Sequence, residues 1–195
     1  MPRNRLVGVI AVLIATALAI AGVRLLDRGS DGADGAPPAQ ATIVLNATDD
    51  AFLQLMIPID ESALVFLTEA QTLTRSPALR ALAAELVGTH QAELTEMRAL
   101  LARGGTAEQN IHEGHRMPGM IFDDQQAELR STPEAERDGQ AIALLRGHLE
   151  QCEVLANGEE TAGGTDETRS FAVRLKQVRT EQLAKLSAIA RTPSY

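Results

Sequence analysis

Aromatic side chains are scarce in this chain of 195 residues, where they make up only 3%, and tryptophan is absent. Runs of β-branched residues are also few, whereas alanine and leucine dominate the hydrophobic residues, which form 45% of the chain. Buried strands are usually rich in β-branched and aromatic residues, while alanine and leucine are strong helix formers. The composition therefore favours packed helices over a sheet.

Cysteine and positive charge are also in short supply. A single cysteine, Cys152, excludes an intramolecular disulfide framework and a zinc site built from several cysteines. Lys and Arg number 18 against 26 Asp and Glu, a formal net charge of −8. Binding to phosphate backbones needs clustered positive charge, so a nucleic-acid partner is disfavoured.

Residues 1–24 form one hydrophobic segment that precedes the globular part. Arg3 and Arg5 are followed by an uncharged apolar stretch at 6–23, near the lower length limit for a membrane span. Ala19 and Ala21 offer a small-x-small pattern for signal peptidase. A cleaved signal peptide and an uncleaved transmembrane anchor stay open alternatives. Both predict an extracytoplasmic protein, membrane-anchored or secreted, because the positive N-terminus stays inside.

The composition changes twice along the rest of the chain. Residues 25–46 are rich in Gly, Asp, Ala and Pro and are interpreted as a flexible tether. Residues 47–192 show apolar residues at three- and four-residue steps, typical of amphipathic helices. The first predicted helix starts near Asp49, and Pro58 is expected to kink or break it.

Three further helices complete the predicted bundle. The second starts at Ser76 and Pro77 and closes at Gly104, since Ser is a good N-cap and Pro a good first residue. The third follows 131–133 and is expected to stop at Asn157 and Gly158. The fourth follows Gly163, Gly164 and Thr165. Four helices of this length predict an all-α four-helix bundle.

The helices fall into two related hairpins. Residues 49–103 align without gaps on residues 138–192 at an offset of 89, and the apolar positions coincide in register. A duplication of this kind places equivalent positions of the first and third helices opposite one another in the bundle core, where bundles build their cofactor sites.

The connection at 104–131, here called the His/Met loop, is longer than a bundle needs, and such loops are often functional. It contains two imidazoles and two thioethers within nine residues: His112, His115, Met117 and Met120. Thioether and imidazole ligands suit a soft metal, above all copper. The alternative is a solvated polar loop whose two methionines dock on the bundle.

Four motifs carry a resemblance to the family catalogued as domain of unknown function 305. They are Asp49-x-x-Phe52-Leu53-x-x-Met56-Ile57-Pro58, Glu61-Ser62-Ala63, Gln91-Ala92-Glu93-Leu94-x-x-Met97 and His115-x-Met117-Pro118-Gly119-Met120. The resemblance implies an exported or membrane-tethered protein with a ferritin-like bundle of two related halves. Some members of the family are associated with copper binding through His and Met, so the resemblance implies a metal-handling role. Copper is the expected cofactor, and no organic cofactor is expected.

The chain departs from this family where the family has two His-His pairs. Ile59 and Asp60 occupy the first pair, and His148 and Leu149 occupy the second. His148 and Cys152 remain as candidate ligands, because residues at i and i+4 share one helical face. The alternative is that both are core residues. His90 is a less favoured candidate.

The same residues argue against an enzyme. A di-iron bundle needs Glu-x-x-His on two helices, and that motif is absent from the sequence. Two hypotheses follow. The retained His/Met loop favours an envelope protein that binds copper for buffering or metal homeostasis. The missing His pairs favour a degenerate bundle that binds no metal and acts structurally or with partners, as a homo-oligomer or with an envelope protein.

Overall fold

Five helices and no strands make up the part of the chain, residues 42–109 and 112–192, that a computed structural model describes. The helices are α1 (Ala47–Leu73), α2 (Pro77–Arg103), α3 (Asp123–Ser131), α4 (Glu134–Ala162) and α5 (Asp166–Ala190). The prediction of an all-α bundle is confirmed. The segment predicted at 1–24 and the tether up to residue 41 lie outside the described residues.

Three details differ from the sequence-based expectations. The His/Met loop contains a short helix, α3, which was not predicted. A kink or a break was expected at Pro58, and the break is wrong, because helix α1 continues through this residue. Helix α4 continues past Asn157 and Gly158 as far as Ala162, because this part of the helix buries Ala156 just before them and Glu159 just after them. Tertiary packing of this kind outweighs the weak helix propensity of Asn and Gly.

Side-chain caps mark the start of three of the four long helices. Asn46 caps α1, with its Oδ1 accepting from the backbone N–H of Asp49 at 2.8 Å, while Asp49 Oδ2 accepts from the N–H of Asn46 at 2.7 Å. Ser76 caps α2 ahead of Pro77, and Thr165 caps α5. These caps satisfy N–H groups that have no partner inside the helix.

The two hairpins hold each other's turns by equivalent bonds. Asp49 Oδ1 accepts from the N–H groups of Gly164 and Thr165, at 2.9 and 3.3 Å, in the turn between α4 and α5. Asp138 accepts from the N–H groups of Arg75 and Ser76, at 2.7 and 2.9 Å, in the turn between α1 and α2. Each member of the second set lies 89 residues from its counterpart in the first.

The bundle core lies between the two hairpins. Helix α1 packs on α2 and α4 on α5, while contacts of α1 with α4 and of α2 with α5 join the hairpins. Two apolar clusters fill the interior, one around Phe52 and Phe171 and the other around Phe66 and Leu86. By length and composition α1 is also apolar enough to cross a membrane, but 56% of its apolar window is buried inside the bundle.

Candidate metal centre

Three buried side chains from three helices meet in the bundle interior: Asp60 on α1, His90 on α2 and His148 on α4. Their potential ligand atoms all lie within 4.8 Å of one another. The two imidazole Nε2 atoms are 2.8 Å apart, and Asp60 Oδ1 lies 3.8 Å from Nε2 of His90 and 3.9 Å from Nε2 of His148. All three side chains are fully shielded from solvent. They are called the His–Asp cluster below.

The apolar stripes of the helices bring these polar groups inward. His90 follows Leu86 and precedes Leu94 by one turn each, and all three are buried on the same face of α2. His148 stands in the same relation to Leu145 and Cys152 on α4. Residues at this spacing share one helical face, so burial of the leucines carries the imidazoles into the core.

A hydrogen bond from the His/Met loop orients His148. Its Nδ1 donates to the carbonyl oxygen of Gly119 at 3.0 Å. A carbonyl only accepts, so the proton of this ring lies on Nδ1 and the lone pair of Nε2 faces the cluster. Gly119 has a φ of +88° and lies so close to Gln151 that a Cβ would stand 2.8 Å from it. Glycine is therefore needed where the loop meets the site.

A buried ion pair lies beside the cluster. Arg179 on α5 is fully buried, and its guanidinium donates to both carboxylate oxygens of Glu93 at 3.0 and 2.7 Å. The same guanidinium lies 3.4 Å from Asp60 Oδ1 and donates to Gln182 Oε1 at 3.2 Å. A bidentate arginine–carboxylate pair of this kind is strong and geometrically specific.

Burial shifts the titration of the cluster towards neutral forms. It raises the pKa of Asp60 well above its ordinary value, although the nearby Arg179 opposes the shift. It lowers the pKa of His90, where Arg179 and His148 add to the effect, and it lowers the pKa of His148. Neutral imidazoles are the form that binds metals. The lowered pKa values therefore favour the form of both rings that can act as a ligand without first losing a proton.

The donor set fits a metal ion. Asp60 Oδ2 and His90 Nδ1 are buried without a hydrogen-bond partner, although such atoms are usually satisfied. An ion bound tetrahedrally at about 2.0 Å holds two ligand nitrogens about 3.3 Å apart. The imidazole nitrogens lie 2.8 Å apart, so they would have to separate by about half an ångström to hold such an ion. His90 Nδ1 lies 3.9 Å from Glu93 Oε2, beyond hydrogen-bond distance.

Cys152 lies at the edge of the cluster, as its spacing from His148 predicts. Its Sγ is 3.7 Å from Nε2 and 3.9 Å from Nδ1 of His148. The thiol is fully buried, and burial raises its pKa. Cys152 is therefore a neutral thiol next to the candidate centre rather than an activated nucleophile.

The ligands predicted in the His/Met loop lie outside the His–Asp cluster. His112 is half-buried and His115 exposed, and with Met120 they line a surface depression of about 520 Å³ beside Pro58 and Glu61. Met117 and Met120 line a second depression of about 520 Å³ that reaches His148. Arg116, Met120 and Phe122 line both depressions, so the two lie next to each other.

Sequence reasoning underestimated the centre itself. His90 was the less favoured candidate, Asp60 was noted only as a departure from the resembled family, and Arg179 and Glu93 were not singled out. A signal for Arg179 was present, because it lies 89 residues after His90 and so occupies the equivalent position of the second hairpin. Polar residues at equivalent buried positions of a duplicated bundle point to its centre.

The N-terminal hairpin of the bundle matches a known protein family. The profile described as "Domain of unknown function (DUF305)" matches residues 34–101. These residues include α1 and most of α2, with Asp60 and His90. Among curated proteins no match was found.

Solved structures of similar fold cover most of the chain. A DUF305 fragment from Deinococcus radiodurans shares 19% identity, with a TM-score of 0.67, over 77% of this chain and 100% of the fragment. A Streptomyces coelicolor DUF305 protein described as secreted shares 15% identity, with a TM-score of 0.65, over 76% and 97%. CopM in its Cu(II)-bound form shares 17% identity, with a TM-score of 0.63, over 72% and 93%.

Proposed function

The chain belongs to the DUF305 family, and from this premise we propose that it is an extracytoplasmic protein that binds copper and buffers it. The observation that carries the proposal is the His–Asp cluster, in which three ligand groups from three helices meet without solvent. Two similar structures support it, one of a protein described as secreted and one holding Cu(II). The proposed role is binding and not catalysis.

The donor chemistry favours copper over harder ions. Mg²⁺ and Ca²⁺ prefer sets of oxygen ligands, whereas this centre offers two imidazole nitrogens, one carboxylate and an adjacent thiol. Imidazole and sulfur ligands suit copper and zinc. His90 and His148 are the proposed nitrogen ligands, Asp60 the carboxylate ligand, and Cys152 a further ligand within reach.

The His/Met loop is the proposed point of first capture. His112 is half-buried and His115 exposed, and the depression that they line adjoins the one that reaches His148, with Met120 among the residues that line both. Thioether ligands are soft and select Cu(I). Met117 and Met120 would therefore hold the ion on its way to the buried imidazoles.

The test is a competition titration of the full-length chain, kept in a mild detergent because of its apolar N-terminus, against a colorimetric Cu(I) chelator. The parent is expected to bind one Cu(I) tightly, and a His90→Gln, His148→Gln variant is expected to lose that tight site. A second variant carries His112→Ala, His115→Ala, Met117→Ala and Met120→Ala. It is expected to keep the tight site but load it more slowly.

Two controls are needed to interpret this titration. His112→Gln with His115→Gln matches the buried double substitution and leaves the cluster intact. Circular dichroism of every variant separates lost binding from lost folding. Absence of Cu(I) binding by the folded parent contradicts the proposal, and loss of the tight site in the loop variant moves the site to the loop.

One observation favours a second candidate function, a structural or partner-binding bundle without metal. Arg179 already pairs with Asp60 and Glu93 and supplies a fixed positive charge at the centre. In such a protein the guanidinium takes the place of a metal ion as the compensating cation. This candidate requires a folded parent that binds neither Cu(I) nor Cu(II) and an unfolding temperature unaffected by added metal.

A further inference from the structure

The two hairpins contribute unequal groups to the centre. Arg179 on α5 lies 89 residues after His90 and is its counterpart in the duplication. Both side chains are fully buried next to Asp60, with His90 Nε2 at 3.8 Å and the Arg179 guanidinium at 3.4 Å from Asp60 Oδ1. The position that would offer a second α2-type imidazole thus holds a permanent positive charge, because arginine stays protonated in proteins.

The charges of the buried groups are balanced by one additional positive charge. With an ion bound, Asp60 and Glu93 are both carboxylates and Arg179 is a guanidinium, while His90 and His148 are neutral rings. The protein groups then sum to a single negative charge. A monovalent ion neutralises the centre, whereas a divalent ion leaves one uncompensated positive charge in the core, which is costly.

We infer that Arg179 is a specificity-determining residue that makes this centre selective for a soft monovalent cation, Cu(I) or Ag(I), over divalent ions. The inference rests on the proposed function, because it assumes that the His–Asp cluster binds a metal. It goes beyond that proposal in naming the charge of the ion and the residue that selects it. Arg179 acts here without being a ligand.

The size of the effect follows from Coulomb's law. A divalent ion carries one more unit of charge than a monovalent one, at roughly 5 Å from the guanidinium if it binds Asp60. With an effective dielectric constant of about 20, repulsion of that extra unit changes the ratio of the two affinities by about a hundredfold. Imidazole and thiol ligands add a preference for soft ions, but they do not depend on Arg179.

The experiment measures two affinities on the full-length chain in mild detergent. Ag(I) serves as the monovalent probe because it is not oxidised under these conditions, and Zn(II) serves as the divalent probe. Arg179→Gln is expected to lower the ratio of Ag(I) to Zn(II) affinity by about a hundredfold. Arg179→Lys keeps the charge and is expected to keep the parent ratio to within about tenfold.

Two more variants test charge rather than packing. Glu93→Gln removes a negative charge and is expected to shift the ratio further towards Ag(I), opposite to Arg179→Gln. The double variant Arg179→Gln, Glu93→Gln restores the parent net charge and is expected to restore its ratio. It leaves neither member of the pair buried without its partner charge, so it carries the test even if Arg179→Gln does not fold.

Matched controls come from an exposed pair on the same two helices. Arg174 on α5 pairs with Glu96 on α2, with both side chains about half exposed. Arg174→Gln and Glu96→Gln are expected to leave the ratio unchanged, because solvent screens their charges. Repeating the titrations with Cys152→Ala shows whether the thiol supplies negative charge for Zn(II).

The outcomes separate this inference from the proposed function. If the folded parent binds neither ion, both are overturned. If the parent binds ions but folded Arg179→Gln and Glu93→Gln keep its ratio, only the inference is overturned. Failure of the double variant to return to the parent ratio also overturns it, because packing and not charge would then set the preference.

Discussion

The hairpin α1–α2 and the hairpin α4–α5 are similar at their ends and differ at their centres. Their helices end or begin 89 residues apart, as with Leu73 and Ala162 or Pro77 and Asp166. Their turns are held by equivalent aspartates, Asp49 and Asp138. At the centre, by contrast, the equivalent buried positions of the two hairpins hold different residues, an imidazole at His90 and a guanidinium at Arg179.

The difference reflects how often each feature is needed. Each hairpin has its own turn with its own unpaired N–H groups, so a cap is required twice. The centre is one site shared by both hairpins, so one set of ligands is enough. The central pairs accordingly differ: Ile59 and His148, Asp60 and Leu149, Ala63 and Cys152, His90 and Arg179, Glu93 and Gln182.

Breaking the asymmetric centre is expected to have the largest effect on stability. Arg179→Met leaves the carboxylate of Glu93 buried without its cation, and we expect a loss of about 3–5 kcal/mol in the free energy of unfolding. Urea denaturation followed by circular dichroism measures it. Arg174→Met, exposed on the same helix, is the control and should cost less than about 0.5 kcal/mol. Equal losses in both variants would contradict a buried ion pair.

Truncating equivalent core leucines tests whether the two hairpins are packed equally tightly. Leu86 and Leu175 are equivalent positions with exposures of 0% and 2%. Leu86→Ala and Leu175→Ala should each lower the free energy of unfolding by about 3 kcal/mol, through lost burial and the cavity left behind. Denaturation of both variants under one condition measures the difference. A gap of more than about 2 kcal/mol would show that one site collapses and the other does not.

The two aspartates that hold the turn of the opposite hairpin should contribute nearly equally to the free energy of unfolding. Asp49→Ala removes an acceptor for three donors beyond α1, and Asp138→Ala removes an acceptor for two. We expect losses of about 2–3 kcal/mol, slightly larger for Asp49, because the buried N–H groups lose charged partners. Asp50→Ala, next to Asp49, is the control. Amide hydrogen exchange should increase at 164–165 in the first variant and at 75–76 in the second.

A carboxyl group that only the second hairpin carries should make stability depend on pH. Glu159 corresponds to Ala70 in the first hairpin, and burial together with the neighbouring Asp49 raises its pKa to about 8. An unfolded glutamate has a pKa of about 4.3. The folded chain therefore holds an extra proton between these values, and its stability falls as pH rises through that window.

Glu159→Gln removes this dependence, since the amide resembles the protonated acid. Between pH 5 and pH 8.5 the parent should lose about 1 kcal/mol more than the variant, a figure discounted for solvent screening. Urea denaturation at both pH values gives the comparison. Glu136→Gln, exposed in the first turn of α4, is the control. Parallel profiles for parent and Glu159→Gln would refute the raised pKa.

The smallest effect concerns the end of α4. Gly158 lies inside the helix, and a Cβ there would meet no atom within 4 Å. Gly158→Ala should raise the free energy of unfolding by about 0.5–1 kcal/mol, because alanine loses less conformational entropy. Gly163→Ala is the contrasting variant, since its Cβ would stand 2.6 Å from the backbone carbonyl oxygen of Glu159. A destabilised Gly158→Ala would place the helix end at 157–158 after all.

Helix type, the caps at Ser76 and Thr165 and the 89-residue repeat were predictable, because each depends on short stretches of sequence. Periodicity of 3.6 residues and a capping residue are local signals. The passage of α1 through Pro58 and of α4 through Gly158 was not predictable in this way. Packing of the whole bundle keeps these turns helical against the preference of single residues.

The residues of the candidate centre also fall into two groups, those that local sequence patterns indicate and those that only packing brings together. The chain sequence alone was enough to single out His148 with Cys152, which share a helix face, and the His/Met loop, which is continuous. It did not join Asp60, His90 and Arg179 to them, since these lie on α1, α2 and α5. Their meeting depends on how four helices pack, and burial then sets their protonation and charge. Local patterns therefore specify the bundle, whereas long-range packing creates its centre.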